Sequence, residues 1–225
     1  MNEPVGPELP GDVTGLELDP DVRSQLGTLT KATADRVARH LVMAGQLVDE
    51  DPDAALEHAL AARSEGSRLG VVREAVAYTA YAAGKYEQAL AEFRAARRMT
   101  GSPEYFPAMA DSERGLGRPE RALDLIATVD RSELDPVARV ELLIVEAGAR
   151  RDLGQPAAAL ALLDVPALHG RASVTAVTRV RYAYADTLEE LGRREEAARW
   201  FARVLEVDVD AQTDAEERLA RLGEE

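Results

Sequence analysis

The chain has 225 residues, no cysteine and a formal net charge of −14, set by 41 acidic against 27 basic side chains. Missing cysteine removes disulfides, thiolate metal sites and cysteine nucleophiles together, and the negative field argues against non-specific binding to nucleic acid. Of its residues 46% are hydrophobic but only 4% aromatic, and no stretch alternates with period two between turn residues, so the expected class is all-α.

Residues 1–19 hold Pro4, Pro7, Pro10, Gly6, Gly11 and Gly15 among acidic side chains. That composition buries little apolar surface, which predicts a mobile acidic tail followed by a single domain over 20–225. The opening MNEPVGPELPGD lacks the cationic and apolar parts of a signal peptide, and no run has the length of a transmembrane helix. The expectation is a soluble, cytoplasmic protein that engages no membrane. Asp19-Pro20 predicts a short helix through Leu26, with aspartate as cap and proline in the first turn. Thr30 then caps a longer helix running from Ala32 to about Val48.

From there the sequence repeats itself. Ala55, Ala89, Ala122, Ala159 and Ala197 recur at spacings of 34, 33, 37 and 38. Twelve positions before these anchors stand Met43, Ala77, Ala110, Ala147 and Ala185. Small residues at both places let paired helices approach closely. Four positions after the anchors come Ala59, Phe93, Ile126, Leu163 and Phe201, the bulky core row, undersized only in the first unit. Five before them come Glu50, Gly84, Gly117, Gly154 and Gly192. A glycine there takes the left-handed conformation that ends the first helix of each pair.

Prolines agree with this frame. Pro52, Pro119 and Pro156 each fall three residues before an anchor, where a second helix starts and no intrahelical acceptor awaits the missing N–H. Asp135-Pro136 and Ser102-Pro103 predict capped starts of first helices. Pro107 sits awkwardly, implying that the third unit's first helix begins after it or bends there.

The unit Val71–Pro103, with Ala77, Gly84, Tyr86, Ala89, Phe93 and Ala96, resembles the tetratricopeptide repeat. VREAVAYTAYAAGKYEQAL, AARRMTG and MADSERGLGRPERAL look like actinobacterial repeat proteins of unassigned function. The resemblance covers roughly Ala32–Asp208. It implies a right-handed α-solenoid of about five helical hairpins, over about 32–66, 71–101, 103–134, 136–166 and 174–208. The fourth unit departs from the pattern: its second helix ends early at Pro166, and the loop Val165–Ser173 lengthens the last spacing. Residues 211–222 read as an amphipathic capping helix with Leu219 and Leu222 on its apolar side. Trp200, the only tryptophan, is expected to be covered by that helix.

Chemistry-bearing patterns fail one by one. His40, His58 and His169 show no metal-binding helical spacing, although His40 and His58 could face each other across one helical pair. Gly115-Leu116-Gly117 lacks the strand and the Lys-Ser/Thr of phosphate loops. Asp49, Glu50, Asp51 and Asp53 lack the central glycine of a calcium loop and read as a solvated turn that favours the next helix's start. The expectation is no catalytic residue, no metal and no cofactor.

What remains is recognition. In the family the chain resembles, first helices line the binding side. Counting back from the anchors gives Leu47, Tyr81, Arg114, Arg151 and Glu189 at eight residues. Ala44, Tyr78, Asp111, Gly148 and Asp186 follow at eleven, and His40, Glu74, Pro107, Ile144 and Tyr182 at fifteen. Tyrosine and arginine dominate interface energetics, so Tyr78, Tyr81, Arg114, Arg151 and Tyr182 are the predicted contacts for a protein or peptide partner. Neither lysine nor asparagine stands in these rows, against a carboxylate-clamp role. The rival readings are self-association through the array's end, giving a homo-oligomer, and regulation of an enzyme encoded nearby.

Overall fold

A computed structural model of the chain describes residues 6–170 and 175–223. Among them are twelve α-helices, two 3-10 turns and no strand. The chain divides into two compact units, Met1–Leu116 and Gly117–Glu225.

The first unit contains α1 (Pro20–Gln25), α2 (Lys31–Leu47), α3 (Pro52–Gly66), α4 (Gly70–Ala82), α5 (Tyr86–Thr100) and α6 (Phe106–Gly115). α2 pairs with α3 and α4 with α5, α3 packs on α4, and α6 lies on α5. The second unit contains α7 (Pro119–Ala127), α8 (Pro136–Asp152), α9 (Pro156–Leu163), α10 (Thr175–Glu190), α11 (Arg194–Leu205) and α12 (Ala215–Gly223). There α8 pairs with α9 and α10 with α11, α7 lies on α8, and α12 closes on α11. Each unit is therefore a sequence-ordered stack of antiparallel hairpins, the α-solenoid arrangement. α6 is the last helix of the first unit and α7 the first of the second.

The repeat rows are the core. Ala55, Ala89, Ala122, Ala159 and Ala197 are all fully buried, as are Ala77, Ala110 and Ala185. Phe93, Leu163 and Phe201 fill the space beside them with no exposed surface. Gly84, Gly117, Gly154 and Gly192 have φ of 69°, 69°, 70° and 72°, the left-handed turn that a Cβ would strain. At Gly84, Gly154 and Gly192 the turn also closes a backbone hydrogen bond, as from Gly84 N–H to the Tyr81 carbonyl at 3.0 Å. Pro52, Pro119, Pro136 and Pro156 occupy first turns of helices.

Caps form where short polar side chains precede helices. Asp19 accepts from Asp21 N–H at 2.7 Å, Asp51 from Ala54 N–H at 3.0 Å and Asp135 from Ala138 N–H at 2.8 Å. Thr30 caps α2 through Thr33 N–H. A cap of this kind stabilises its helix by about 1 kcal/mol.

Three expectations are corrected. Ser102 caps no helix: its hydroxyl accepts from Glu104 N–H at 3.2 Å in a turn, and α6 starts only at Phe106 with Pro107 in its first turn. The terminal helix begins at Ala215 rather than residue 211, because Ala211 has φ of 48° and the Asp208 carboxylate gathers Gln212 N–H at 2.9 Å and Thr213 N–H at 3.0 Å into a turn. The third correction concerns the N-terminal segment. Residues 6–19 lie against α2 and α3 instead of standing free. Arg39 donates to the carbonyls of Val13 at 2.7 Å, Leu9 at 3.3 Å and Pro10 at 2.7 Å, and Val13 is buried. A Cβ on Gly6 would stand 2.4 Å from Ala61 Cβ, so the backbone there rests directly on α3. Residues 1–5 of the expected tail, and 171–174 of the loop before α10, lie outside the described residues.

That loop is held at its described end. After α9 stops at Leu163, a 3-10 turn at Pro166–His169 tucks Leu168 fully inside. The buried Arg181 guanidinium donates to the carbonyls of Leu168 at 3.1 Å, Arg203 at 3.1 Å and Gly170, replacing backbone partners that an irregular segment lacks. Trp200 is half-buried against Tyr184 at 5.0 Å and His169 at 5.9 Å, with Arg203 4.6 Å over its ring. Its ring partners thus come from the 3-10 turn, α10 and α11, while α12 sets Arg218 over the neighbouring Phe201 at 5.0 Å.

Candidate functional site

The first-helix rows can be followed within each unit. In the first unit, α2 and α4 lie side by side with α1 leaning on them, because the apolar faces of Leu18, Val22 and Leu29 pack onto the cluster of Leu26, Val37, Leu41 and Val72. The three elements do not close completely. They leave an open cavity of about 270 Å³ lined by Leu18, Val22, Leu41, Ala44, Gly45, Val48, Val71, Glu74, Ala75, Tyr78 and Thr79. Glu74 is the one ionisable carboxylate in this lining.

Gly45, like Gly27 and Gly223 and unlike Gly66 and Gly115, has open space where a Cβ would stand. A Cβ at Gly115 would strike the Tyr86 ring at 2.4 Å, and one at Gly66 would meet Val72 at 3.1 Å, so packing explains both. A Cβ at Gly45 would meet nothing within 4 Å, and no positive φ demands glycine there. Helical glycine costs up to about 1 kcal/mol relative to alanine. No contact among the described residues offsets that cost.

Tyr78 borders the cavity. Its ring packs edge-on against Phe93 at 5.0 Å, yet 40% of the residue stays exposed. Burial against the helix pair, then Glu74 and Glu104 nearby, push its hydroxyl up to about 12, so it is a neutral donor at physiological pH. Glu74 in turn accepts from the Tyr105 hydroxyl at 2.8 Å, which joins α4 to the start of α6.

Three of the other predicted contacts join one element to the next. Tyr81 on α4 donates to Asp111 on α6, and its ring meets Tyr86 at 5.9 Å. Arg114 reaches Asp111 at 2.6 Å along its own helix. In the second unit, Arg151 on α8 bridges Asp186 at 2.6 Å and Glu190 on α10. Tyr182 on α10 donates to Asp214, just ahead of α12, and packs on Phe201 at 5.7 Å. A rule connects these pairs: the residue eight before one anchor meets the residue eleven before the next, as in Tyr81–Asp111 and Arg151–Asp186. The signal was present in the rows, as complementary side chains at those two places. Arg114 has only Gly148 at the corresponding position, and it pairs within its helix.

The far end of the second unit is a dense ionic cluster. Arg218 of α12 donates to Asp186 at 2.6 Å, Glu189 at 2.7 Å and the Tyr182 hydroxyl at 3.2 Å, and Arg221 adds Glu189 at 3.0 Å. Burial alone would raise the Asp186 carboxyl, but hydrogen bonds from Arg218 and Arg151 outweigh it and hold it below its ordinary value. Beside this cluster a second cavity of about 320 Å³ opens among Ile144, Thr178, Arg179, Tyr182, Ala183, Gln212 and Thr213.

No group of three or more side chains suited to a metal occurs among the described residues. His40 on α2 and His58 on α3 do face each other, Nδ1 to Nδ1 at 3.0 Å, and both are buried. As two ligands alone they make a hydrogen-bonded pair, one nitrogen donating and the other accepting.

Hairpins of this geometry are found in solved structures. The thermophilic TPR protein TTC0263 of Thermus thermophilus superposes with a TM-score of 0.67 and 22% identity, over 84% of this chain and 100% of that one. The fold is that of a tetratricopeptide-repeat protein. Yeast Tom70 matches with a TM-score of 0.53 and 14% identity, over 92% of this chain and 43% of its own. No family model and no curated protein matches the sequence. Tetratricopeptide-repeat folds generally mediate protein–protein interaction, presenting stacked first helices as an extended surface. No described helix is long and apolar enough to cross a membrane.

Proposed function

We propose that the chain is a non-enzymatic adaptor that binds a protein or peptide partner along its first-helix face. The observation that carries this reading is the open apolar cavity beside Tyr78. A large aromatic that is 40% exposed at the rim of an apolar hollow is the kind of side chain that contributes most to an interface.

The five predicted contacts then separate by role. Tyr78 is the partner contact. Tyr81, Arg151 and Tyr182 tie the first helices to the elements after them through Asp111, Asp186, Glu190 and Asp214, Arg114 pairs along its own helix, and all four contact a partner only at their edges. The test is affinity capture from cell lysate with wild type, Tyr78→Glu and Arg151→Met, each checked for its melting curve. A partner retained by wild type and Arg151→Met but lost by Tyr78→Glu supports the reading. Equal retention by all three removes the first-unit surface from it.

A further inference from the structure

We infer that the first-unit cavity seats an amphipathic helix carrying lysine or arginine beside its apolar stripe, and that Gly45 is bare so this helix can approach α2 closely. The inference rests on the adaptor reading and names the partner's chemistry. Three observations carry it.

The first is Gly45 itself. Its neighbours leave a Cβ in open space, and it lines the cavity. A side chain there would meet no other residue of the chain at the hollow's edge, so the chain's own packing does not call for glycine at this position. Close backbone approach is the established use of such a position.

Charge is the second. The lining is aliphatic except for Glu74, Thr79 and the Tyr78 hydroxyl, and Glu104 stands close enough to Tyr78 to act on it electrostatically. With a chain charge of −14, the complementary occupant is apolar on one stripe and cationic beside it.

The second unit supplies the third, by making this kind of contact internally. α12 sets Ala215, Leu219 and Leu222 on the cluster around Phe201, while its Arg218 reaches across to Asp186, Glu189 and the Tyr182 hydroxyl. A short helix with an apolar stripe therefore rests on α11 while its flanking arginine reaches the tyrosine and carboxylates of the first helix α10. α4 offers Glu74 and Tyr78, and no described element of the first unit fills the hollow in front of them. Helix-in-groove recognition reads such ligands through anchors at i, i+3, i+4 and i+7.

Fluorescence anisotropy on the full chain tests this with labelled peptides of about 18 residues. One has leucine at those positions and lysine beside them. The second replaces each lysine by glutamate, and the third scrambles the lysine peptide so that the stripe is lost. At about 0.15 M salt, the lysine peptide should bind wild type and the other two should bind at least about tenfold more weakly. Gly45→Leu, with Gly45→Gln as a second filling variant, should weaken the lysine peptide about tenfold or more while leaving the melting temperature equal or higher. Glu74→Gln should weaken it about fivefold, and Glu216→Gln, on the exposed side of α12, less than about twofold.

Equal binding of lysine and glutamate peptides overturns the charge assignment; if both are then lost in Gly45→Leu, the adaptor reading stands. Binding unchanged by both filling variants overturns the seat. If no peptide binds wild type, the inference fails, and the adaptor reading is judged by its own capture experiment.

Discussion

Lowering the pH from 7 to 4.5 should destabilise the first unit through the His40–His58 pair. The two Nδ1 atoms are 3.0 Å apart, so at least one must be unprotonated to accept. Burial is the largest influence on His40, followed by His58, and together with Arg39 and Arg36 they outweigh Glu65 and bring it down from 6.5 to about 4. His58 is also lowered, mainly by burial, with Glu57 acting in the opposite direction. The folded state therefore resists protonation that the unfolded chain accepts near its ordinary value. Stability from the pair is complete above about pH 6.5 and is lost as pH falls from there toward 4. For His40 alone the loss by pH 4.5 is about 2 kcal/mol, or roughly 4–8 °C in melting temperature for a chain of this size. Circular-dichroism melts at intervals between pH 7 and 4.5 measure it, comparing wild type with His40→Gln/His58→Gln. The variant is less stable at pH 7 but should show a shallower pH dependence in that window. Parallel curves would refute a role for the pair, because carboxylate titration alone would then account for the slope.

Other outcomes follow from the packing and the turns. Gly192→Ala should cost about 1–2 kcal/mol, since its φ of 72° is left-handed, and urea titration reads the shift. Phe93→Ala removes a fully buried ring and should cost about 3–5 kcal/mol in the same assay. Arg39→Ala releases three carbonyls, so amide exchange in residues 9–13 should accelerate while the helices of the second unit keep their protection; uniform acceleration would speak against a local role. Arg218→Ala leaves Asp186 and Glu189 short of a partner, and limited proteolysis should then cut near α12 faster, the more so at low salt where wild-type pairing is strongest.

Most of the architecture was legible because it is written in short-range chemistry. The left-handed turns at Gly84, Gly117, Gly154 and Gly192, the prolines of first turns, and the alanine rows each follow from one residue's own geometry. Errors arose where a distant partner decides. Residues 6–19 look disordered by composition, yet Arg39, some 26 to 30 positions away, fixes their carbonyls. Ser102 has the right chemistry for a cap, but the chain turns at Glu104 before a helix forms. Among the candidate contacts, tyrosine and arginine were weighed singly as exposed anchors. Read in pairs across successive repeats, Tyr81 with Asp111 and Arg151 with Asp186 announce structural ties. His40 and His58 were legible as facing residues, since both lie on one hairpin. Gly45 carried no signal in the sequence, because its significance is an empty volume created by α1, α2 and α4 together.

The four left-handed glycines of the repeat row, Gly84, Gly117, Gly154 and Gly192, share one further property: an L-configured Cβ on any of them would meet nothing within 4 Å. Their only objection to a side chain is its chirality. A D-alanine introduced by chemical ligation at Gly84, Gly117, Gly154 or Gly192 takes positive φ without backbone strain and narrows the unfolded ensemble, adding about 0.4–1 kcal/mol wherever its methyl, on the side opposite an L side chain, has room, whereas the L-enantiomer would subtract. Opposite-handed substitutions at equivalent stations thus give a set of local adjusters, each acting on one interhelical turn and leaving every other contact untouched. The order in which hairpins open under denaturant becomes something an experimenter can choose, one stereocentre at a time.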